Sequence, residues 1–484
     1  MQVHVVTDYP LSPGQGLVQF CVENPVAESD PSIFSGKKGR VRMGMSTAGA
    51  LLEVGMGPRS DLDMDGFREA VSVAVRTAAR QEIHTLVVDT AHLNTLELGH
   101  RVLQELVITA YLSTYGFTML KTKQEQDFPQ ELLLISQDKG LHDQVAHFIA
   151  VGQGVALARD LVNMPSNMAT PQYLADLALG FGQKYGFGVR VLEAPEIIQE
   201  GMGCFAAVFQ GSATPAKIIV LDSDPQSSES PLVFIGKGIT FDTGGISLKP
   251  AANMHEMKGD MAGAAAILGL FQALGLTQNK KQRIVGLLPC TDNMPGRQAI
   301  KPGDVVTAMN KTTVEILNTD AEGRLILADA LCYSARFKPK AIVDLATLTG
   351  ACVVALGPKV AAIFSTTATL DQHLRASGSL VGERFWPMPL WKEYAAPLQS
   401  EIADLKNIAT REGGAIYAAL FLKHFVPQGV DWAHLDIAGP AWSNEKVSIS
   451  HKGATGFGVR TLWEFSMVLD QDEADNLVQQ ISTL

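Results

Sequence analysis

The sequence predicts an α/β protein of two domains, the C-terminal one a mainly parallel sheet flanked by helices and carrying the active site. Three observations support this. Strand-like and helix-like segments alternate along most of the chain, the pattern of a sheet covered on both faces. The run Leu232-Val233-Phe234-Ile235 is short and wholly apolar, as suits a parallel strand buried on both sides. The densest glycine-rich and charged clusters follow such runs, and doubly wound sheets place their chemistry at the carboxyl ends of strands.

Bulk properties narrow the class. The chain has 484 residues, 46% hydrophobic and 18% charged, an ordinary globular composition long enough for two or three domains. No run approaches the ~18 to 20 uninterrupted apolar residues of a membrane span. The start, Met1-Gln2-Val3-His4-Val5-Val6, is already strand-like and shows no export signal. Five scattered cysteines (Cys21, Cys204, Cys290, Cys332, Cys352) form no Cys-x-x-Cys. They read as reduced core residues, which points to the cytoplasm and away from thiolate zinc sites. A net charge of −11 gives no basic footprint for nucleic acid.

Residues 1–140 read as an N-terminal α/β domain without concentrated chemistry. Gln2–Asp8, Gly16–Val22, Val41–Ser46 and Leu51–Met56 are expected strands, divided by Pro, Gly, Ser and Asp clusters. Asp63–Gln81 has helical periodicity, Thr85–Asp89 is a strand, Leu96–Ser113 a helix and Glu131–Ser136 a strand. His84, His92 and His100 cross a strand, a loop and a helix, so they form no metal cluster by spacing. Residues 141–165 are a connecting helix, which ends at the breaker cluster Met164-Pro165-Ser166-Asn167.

Residues 166–484 form the expected catalytic domain. Tyr173–Tyr185 is helical, Val189–Glu193 and Ala216–Asp222 are strands, and the buried run from Leu232 feeds Gly236-Lys237-Gly238-Ile239-Thr240-Phe241-Asp242-Thr243-Gly244-Gly245. Such glycine density permits close backbone approach, but its spacing fits neither a phosphate loop nor a dinucleotide fingerprint. Lys237 and Asp242 sit at the strand-to-loop transition, Lys249 follows, and Asp260 opens the small-residue helix Met261–Leu274. Gln282–Pro289 is a strand and Asp292–Pro302 a loop. The strand-like Thr312–Leu317 then meets Asn318-Thr319-Asp320-Ala321-Glu322-Gly323-Arg324-Leu325, with a helix over Leu325–Ala335. Ala341–Leu348 and Trp432–Ile437 are strands, Ala415–Val426 and Thr461–Leu469 helices, and Asp470–Asp475 an acidic solvated tail.

The octet from Asn318 admits two readings. In one, Asp320 caps the helix, Glu322 meets its dipole and Arg324 is solvated. In the other, Asp320, Glu322 and Arg324 enter a crevice with Asp242 and Asp260. Four carboxylates together would repel and take up protons unless cations were present, and two divalent ions would satisfy them. Oxygen ligands suit Mg or Mn, and zinc also accepts carboxylates. No His-Glu-x-x-His or Gly-x-Ser-x-Gly occurs, and His255 stands alone. The residues themselves reach a two-metal hydrolase, with peptidase and phosphoesterase both open and Lys237 an anion binder.

The octet resembles the signature of the leucyl (cytosol) aminopeptidase family of two-metal peptidases. Gly236–Asp242, Gly244–Pro250, Met257–Met261, Ala158–Asn163, Ala346–Ala351, Asp436–Ala441 and Lys452–Gly456 resemble further family blocks in order, across roughly residues 155 to 465. The resemblance implies a metal-dependent aminopeptidase acting on peptides with an unblocked, preferably apolar, first residue. It implies that Asp242 and Glu322 contact both metals, with Lys237 and Asp260 completing the tighter site and Asp320 the looser one. The metals would be Mn or Zn, with Mg an option at the looser site. It also implies that Lys249 stabilises the oxyanion and that Arg324 holds a bicarbonate acting as base. Thr347, Leu348 and Gly350 would bond the peptide backbone, and Met257 and Ala454 would line the side-chain pocket with Asn318 nearby. A homohexamer is the implied assembly. Some relatives also bind DNA, a role that the negative charge of this chain disfavours.

Overall fold

A computed structural model of the chain describes residues 1–24, 33–47, 49–123, 128–279, 281–445 and 452–467. The acidic tail Asp470–Asp475 and the end of the last expected helix lie outside them. The chain divides into two compact units, Met1–Gln153 with Asn444–Lys452, and Gly154–Ser443 with Gly453–Leu484.

The first unit contains β1 (Gln2–Val6), β2 (Gln15–Val22), β3 (Val41–Ser46), β4 (Gly49–Gly57), α1 (Met64–Arg80), β5 (Thr85–Asp89), α2 (Thr90–Asn94), α3 (Val102–Ser113) and β6 (Glu131–Ile135). The strands form one sheet in the order β1-β6-β5-β2-β4-β3, parallel except for the β3–β4 pair. Alternate residues of β2 and β4 enter a core with Phe67, Val71, Val75 and Leu106. The helix expected from Leu96 begins only at Val102, because Glu97 and Gly99 hold positive φ of 58° and 82°.

Helix α4 (Leu141–Asn163) spans the division between the units. The second unit continues with α5 (Pro171–Tyr185), β7 (Gly188–Glu193), α6 (Ala194–Gln199), α7 (Gly203–Phe209), β8 (Lys217–Asp222), β9 (Leu232–Gly236), β10 (Gly238–Asp242), α8 (Ala262–Thr277) and β11 (Ile284–Asn293). There follow β12 (Asp304–Thr307), β13 (Thr313–Ile316), α9 (Gly323–Ser334), β14 (Ala341–Ala346), α10 (Gly350–Leu356), β15 (Val360–Ser365), α11 (Ala368–Val381) and β16 (Arg384–Pro387). The described chain ends with β17 (Leu405–Lys406), α12 (Gly414–Lys423), β18 (Asp431–Asp436), the short pair β19 (Trp442–Ser443) and β20 (Gly453–Ala454), and α13 (Val459–Met467).

Nine described strands make the main sheet, in the order β16-β15-β18-β14-β9-β11-β8-β7, with β10 beside β11. Its centre, β18-β14-β9-β11 with β10, is parallel, while β8, β7 and the β15–β18 pairing are antiparallel. The predicted mainly parallel core is therefore present, with antiparallel flanks that short-range periodicity does not reveal. Periodicity also marked nothing between Ala351 and Gly413, where α10, β15, α11 and β16 lie.

One expectation is corrected. The strand leading into the Asn318 octet does not join the main sheet; β13 pairs with β12 and β17 in a separate three-stranded sheet. A four-residue β-branched stretch reads the same in either sheet, so only the partner strands decide. The stretches Leu141–Asn163 and Met254–Thr277 are long and apolar enough to cross a bilayer, but 56% and 83% of their most apolar windows are buried within the fold. Their small residues explain this: a Cβ at Gly154 would lie 2.3 Å from the Gly269 carbonyl oxygen, so the two backbones meet there with no room for a side chain.

Candidate active site

Four chain segments converge at the carboxyl ends of the central strands. Lys237 directly follows β9; its N–H donates to Leu345 O (3.0 Å) and its carbonyl accepts from Ala264 N (3.0 Å), which pins it between β14 and the start of α8. Its ammonium reaches Asp260 Oδ2 (2.8 Å), Glu322 Oε1 (2.9 Å) and the carbonyl oxygen of Thr347 (3.0 Å). A Cβ at Gly323 would lie 2.7 Å from this Nζ, so the lysine fits only because the first residue of α9 is glycine. Asp242 ends β10; its Oδ1 accepts from Gly244 N (2.9 Å) and Asn293 Nδ2 (2.8 Å), and its Oδ2 faces Lys249 Nζ (2.8 Å). Asp260 Oδ1 accepts from Thr347 Oγ1 (2.6 Å). Carboxylate oxygens of Asp242, Asp260 and Glu322 all lie within 4.8 Å of one another.

The octet supplies the remainder. Glu322, not Asp320, occupies the N-cap of α9, and its side chain makes no cap hydrogen bond. The capping reading of Asp320 is thereby overturned: its Oδ1 pairs with Lys249 Nζ at 2.5 Å, while its own N–H donates to Asn318 Oδ1 (2.9 Å) in a side-chain-closed turn. Arg324 is buried rather than solvated; its Nη1 donates to Asn407 O (2.7 Å), and its Nε has no hydrogen-bond partner. Lys237, read from sequence chemistry as an anion binder, is bonded to the chain's own carboxylates of Asp260 and Glu322.

The charge balance is uneven. Four carboxylates face two ammonium groups, with Arg324 behind them. Burial alone would lower Lys237, but Asp260, Glu322 and Asp242 outweigh it and raise it far above its ordinary value. Burial likewise works against Lys249, and Asp242 and Glu322 reverse the outcome. Asp260 and Glu322 are raised by burial and by neighbouring carboxylates, despite Lys237. Asp320 is raised by burial and by Asp242, against its bond from Lys249. Burial draws Arg324 down to about 10, opposed by Glu322 and Asp436. Carboxylates that stay above their normal range beside two lysines lack positive charge, and Glu322 Oε2 is buried with no hydrogen-bond partner. This donor set, three carboxylates beside an amine, fits divalent cations.

The other expected residues fall into two groups. Thr347 and Leu348 follow β14, and three of their polar atoms already have partners: Thr347 O and Oγ1 as above, and Leu348 N–H donating to Asp436 Oδ1 (3.2 Å). Gly350 opens α10 and is exposed. Met257 lies half-buried in the 3₁₀ turn Met254–Gly259, and its carbonyl accepts from Asp260 N (3.3 Å). Ala454 is buried in β20, its N–H donating to Asn163 Oδ1 (3.0 Å) and its carbonyl accepting from Arg159 Nε (3.1 Å). His255 is exposed. Sequence reasoning missed Asn293, which holds Asp242 and the Thr319 carbonyl, and Asn407, whose side chain braces Leu317 N (2.9 Å) and Asn318 O (2.7 Å). Asn293 ends β11, beside Asp242 in the adjoining parallel strand, and the shared strand-end position was the available signal.

Comparison with known proteins identifies the family of the chain. The profile described as the cytosol aminopeptidase family, catalytic domain, matches residues 156–463, and the N-terminal domain of the same family matches residues 29–124. The N-terminal match adds a region where no specific motif was legible. The chain is 50% identical over 428 residues to a probable cytosol aminopeptidase of Nitratidesulfovibrio vulgaris, covering 86% of this chain and 84% of that one. It is 46% identical over 427 residues to one of Desulfovibrio desulfuricans, covering 86% and 85%. Among solved structures, the bottromycin maturation enzyme BotP in complex with Mn superposes with TM-score 0.84 at 34% identity, covering 96% of this chain and 98% of that one. A mutant of tomato leucine aminopeptidase superposes with TM-score 0.85 at 30% identity, covering 96% of each chain. The buried acidic cluster and the two-domain match thus lead to one conclusion: the chain belongs to the cytosol aminopeptidase family and is a metallo-aminopeptidase.

Proposed function

We propose that the protein removes the first residue of peptides with a free, preferably apolar, N-terminus by using two divalent ions. The observation that carries this reading is the buried triad Asp242, Asp260 and Glu322, with oxygens within 4.8 Å and Glu322 Oε2 unpartnered, beside Lys237 and the half-exposed Asp320. Asp242 and Glu322 would contact both ions, Lys237 and Asp260 would complete one site, and Asp320 the other. When bound, such a pair polarises a carbonyl oxygen and lowers the pKa of water.

The remaining work falls to the chain. Lys249, raised and cationic, faces Asp242 and Asp320, where it can stabilise the developing oxyanion. Arg324 is held by Asn407 with Nε free of hydrogen bonds, and would be the residue to hold a bicarbonate, which would supply a general base there. With its N–H committed to Asp436, Leu348 retains its carbonyl for the peptide, and Gly350 retains its exposed backbone. Met257, Ala454 and Asn318 would border the side-chain pocket. Residues 166–484 would form the catalytic domain, acting in a cytoplasmic homohexamer with Mn or Zn, or Mg at the looser site.

The test is hydrolysis of leucine p-nitroanilide. Activity should vanish on chelation and return with Mn or Zn. Folded protein that stays inactive with every metal overturns the reading.

A further inference from the structure

We propose that Asp436 is a positioning residue of this site, clamping the Thr347–Thr349 segment against two of the proposed metal ligands. The inference rests on the two-metal reading above and goes beyond its ligand set.

Asp436 is the last residue of β18 and is completely buried, next to Ala346 of β14 in parallel register. Its Oδ1 accepts from Leu348 N (3.2 Å) and Ala438 N (3.2 Å), and its Oδ2 accepts from Thr349 Oγ1 (2.7 Å). Thr349 Oγ1 also accepts from Cys352 N (3.0 Å), which closes the first turn of α10. On the other side of the same segment, the Thr347 carbonyl accepts from Lys237 Nζ (3.0 Å) and the Thr347 hydroxyl donates to Asp260 Oδ1 (2.6 Å). Within three consecutive residues, Leu348 and Thr349 are thus bonded to Asp436, and Thr347 to Lys237 and Asp260.

The chemistry explains why a carboxylate is needed. Every group that Asp436 meets is a donor, and both of its oxygens are used. An ionised carboxylate is acceptor-only, whereas an amide of the same shape would turn an NH₂ donor toward one set of these donors. A buried carboxylate is tolerated only when so satisfied. Residues that orient ligands from behind in this way affect metal affinity and turnover together.

The test uses the full chain with Asp436→Asn, Thr349→Val and Thr349→Ser. Mn²⁺ affinity is read from free Mn²⁺ by electron paramagnetic resonance, kcat and KM from leucine p-nitroanilide, and folding from melting of the chelated protein. Asp436→Asn and Thr349→Val should each weaken Mn²⁺ binding about 10- to 100-fold and lower kcat. Thr349→Ser should stay near the parent, and the double variant Asp436→Asn/Thr349→Val should be no worse than either single change. A lower melting temperature with unchanged Mn²⁺ affinity and kcat overturns the proposal, as does Thr349→Ser impaired as badly as Thr349→Val. Should Asp436→Asn fail to fold, the Thr349 pair decides alone. A parent protein that binds no Mn²⁺ and cleaves nothing would refute the two-metal reading instead.

Discussion

The two units bury charge in opposite ways. In the N-terminal unit, Arg68 Nε meets Glu105 Oε2 at 2.6 Å and Arg68 Nη1 meets Asp65 Oδ1 at 2.6 Å, with Arg68 and Glu105 both buried. There a buried cation answers a buried anion, and the arrangement is architecture. In the catalytic unit, four carboxylates face Lys237 and Lys249, and Asp260, Glu322 and Asp320 stay raised in pKa. A third pattern stands between them. Asp329, also fully buried, faces no cation among the described residues, yet its oxygens accept from Phe205 N (2.8 Å) and Met309 N (2.8 Å). Burial of an acid is therefore not a functional mark in itself; several acids buried within reach of one another are.

The sharpest way to break this contrast is to remove a carboxylate from the unbalanced cluster. Glu322→Ala should reduce turnover to background and lower the metal bound per chain, measured by elemental analysis, while the chain still folds. Lys249→Ala should lower kcat by about 100- to 1,000-fold with metal content intact; loss of metal in this variant would contradict its role at the oxyanion. In the balanced unit the same operation should act on stability alone. Arg68→Ala takes the buried cation away from Glu105, costing about 3 to 5 kcal/mol by urea unfolding, whereas kcat per folded molecule stays unchanged. Replacing both, as Arg68→Met with Glu105→Leu, should recover most of that loss.

Asp329 should make the stability of the fold depend on pH. Burial raises its pKa to about 7 in the fold, against an unfolded value near 3.8 and despite the backbone donors. The folded chain therefore holds this proton where the unfolded chain has released it. The stability it contributes is full below about pH 4 and is lost as pH rises through about 7. The slope is at most about 1.4 kcal/mol per pH unit. Unfolding free energies measured across that range should lose this component in Asp329→Asn.

Much of the site was legible because its parts announce themselves locally. Asp242 and Asp260 stand at the end of a strand and the mouth of a helix, flanked by glycines, and both enter the cluster. The central strand from Leu232 was legible from its unbroken apolar run. What was not legible depends on partners distant in sequence. Lys237 reads as an anion binder until Asp260 and Glu322 arrive, from 23 and 85 residues further along. Arg324 reads as solvated because its acceptor is the backbone carbonyl of Asn407, 83 residues away, and a carbonyl leaves no trace in side-chain pattern. The side sheet escaped detection for a related reason: two-residue β17 has no periodicity of its own and exists only through its pairing with β13.

That side sheet has a mechanical consequence. Lys237 and Asp242 are delivered by the main sheet, whereas Asp320 and Glu322 are delivered by the segment that β13 launches from the smaller one. The seam between the two sheets runs through the proposed ligand set. Ions held there would act as rivets, joining two sheets that share no strand. Each would tighten the seam by RT ln(1 + [L]/Kd), so metal supply would set how firmly the catalytic unit is closed as well as whether it reacts.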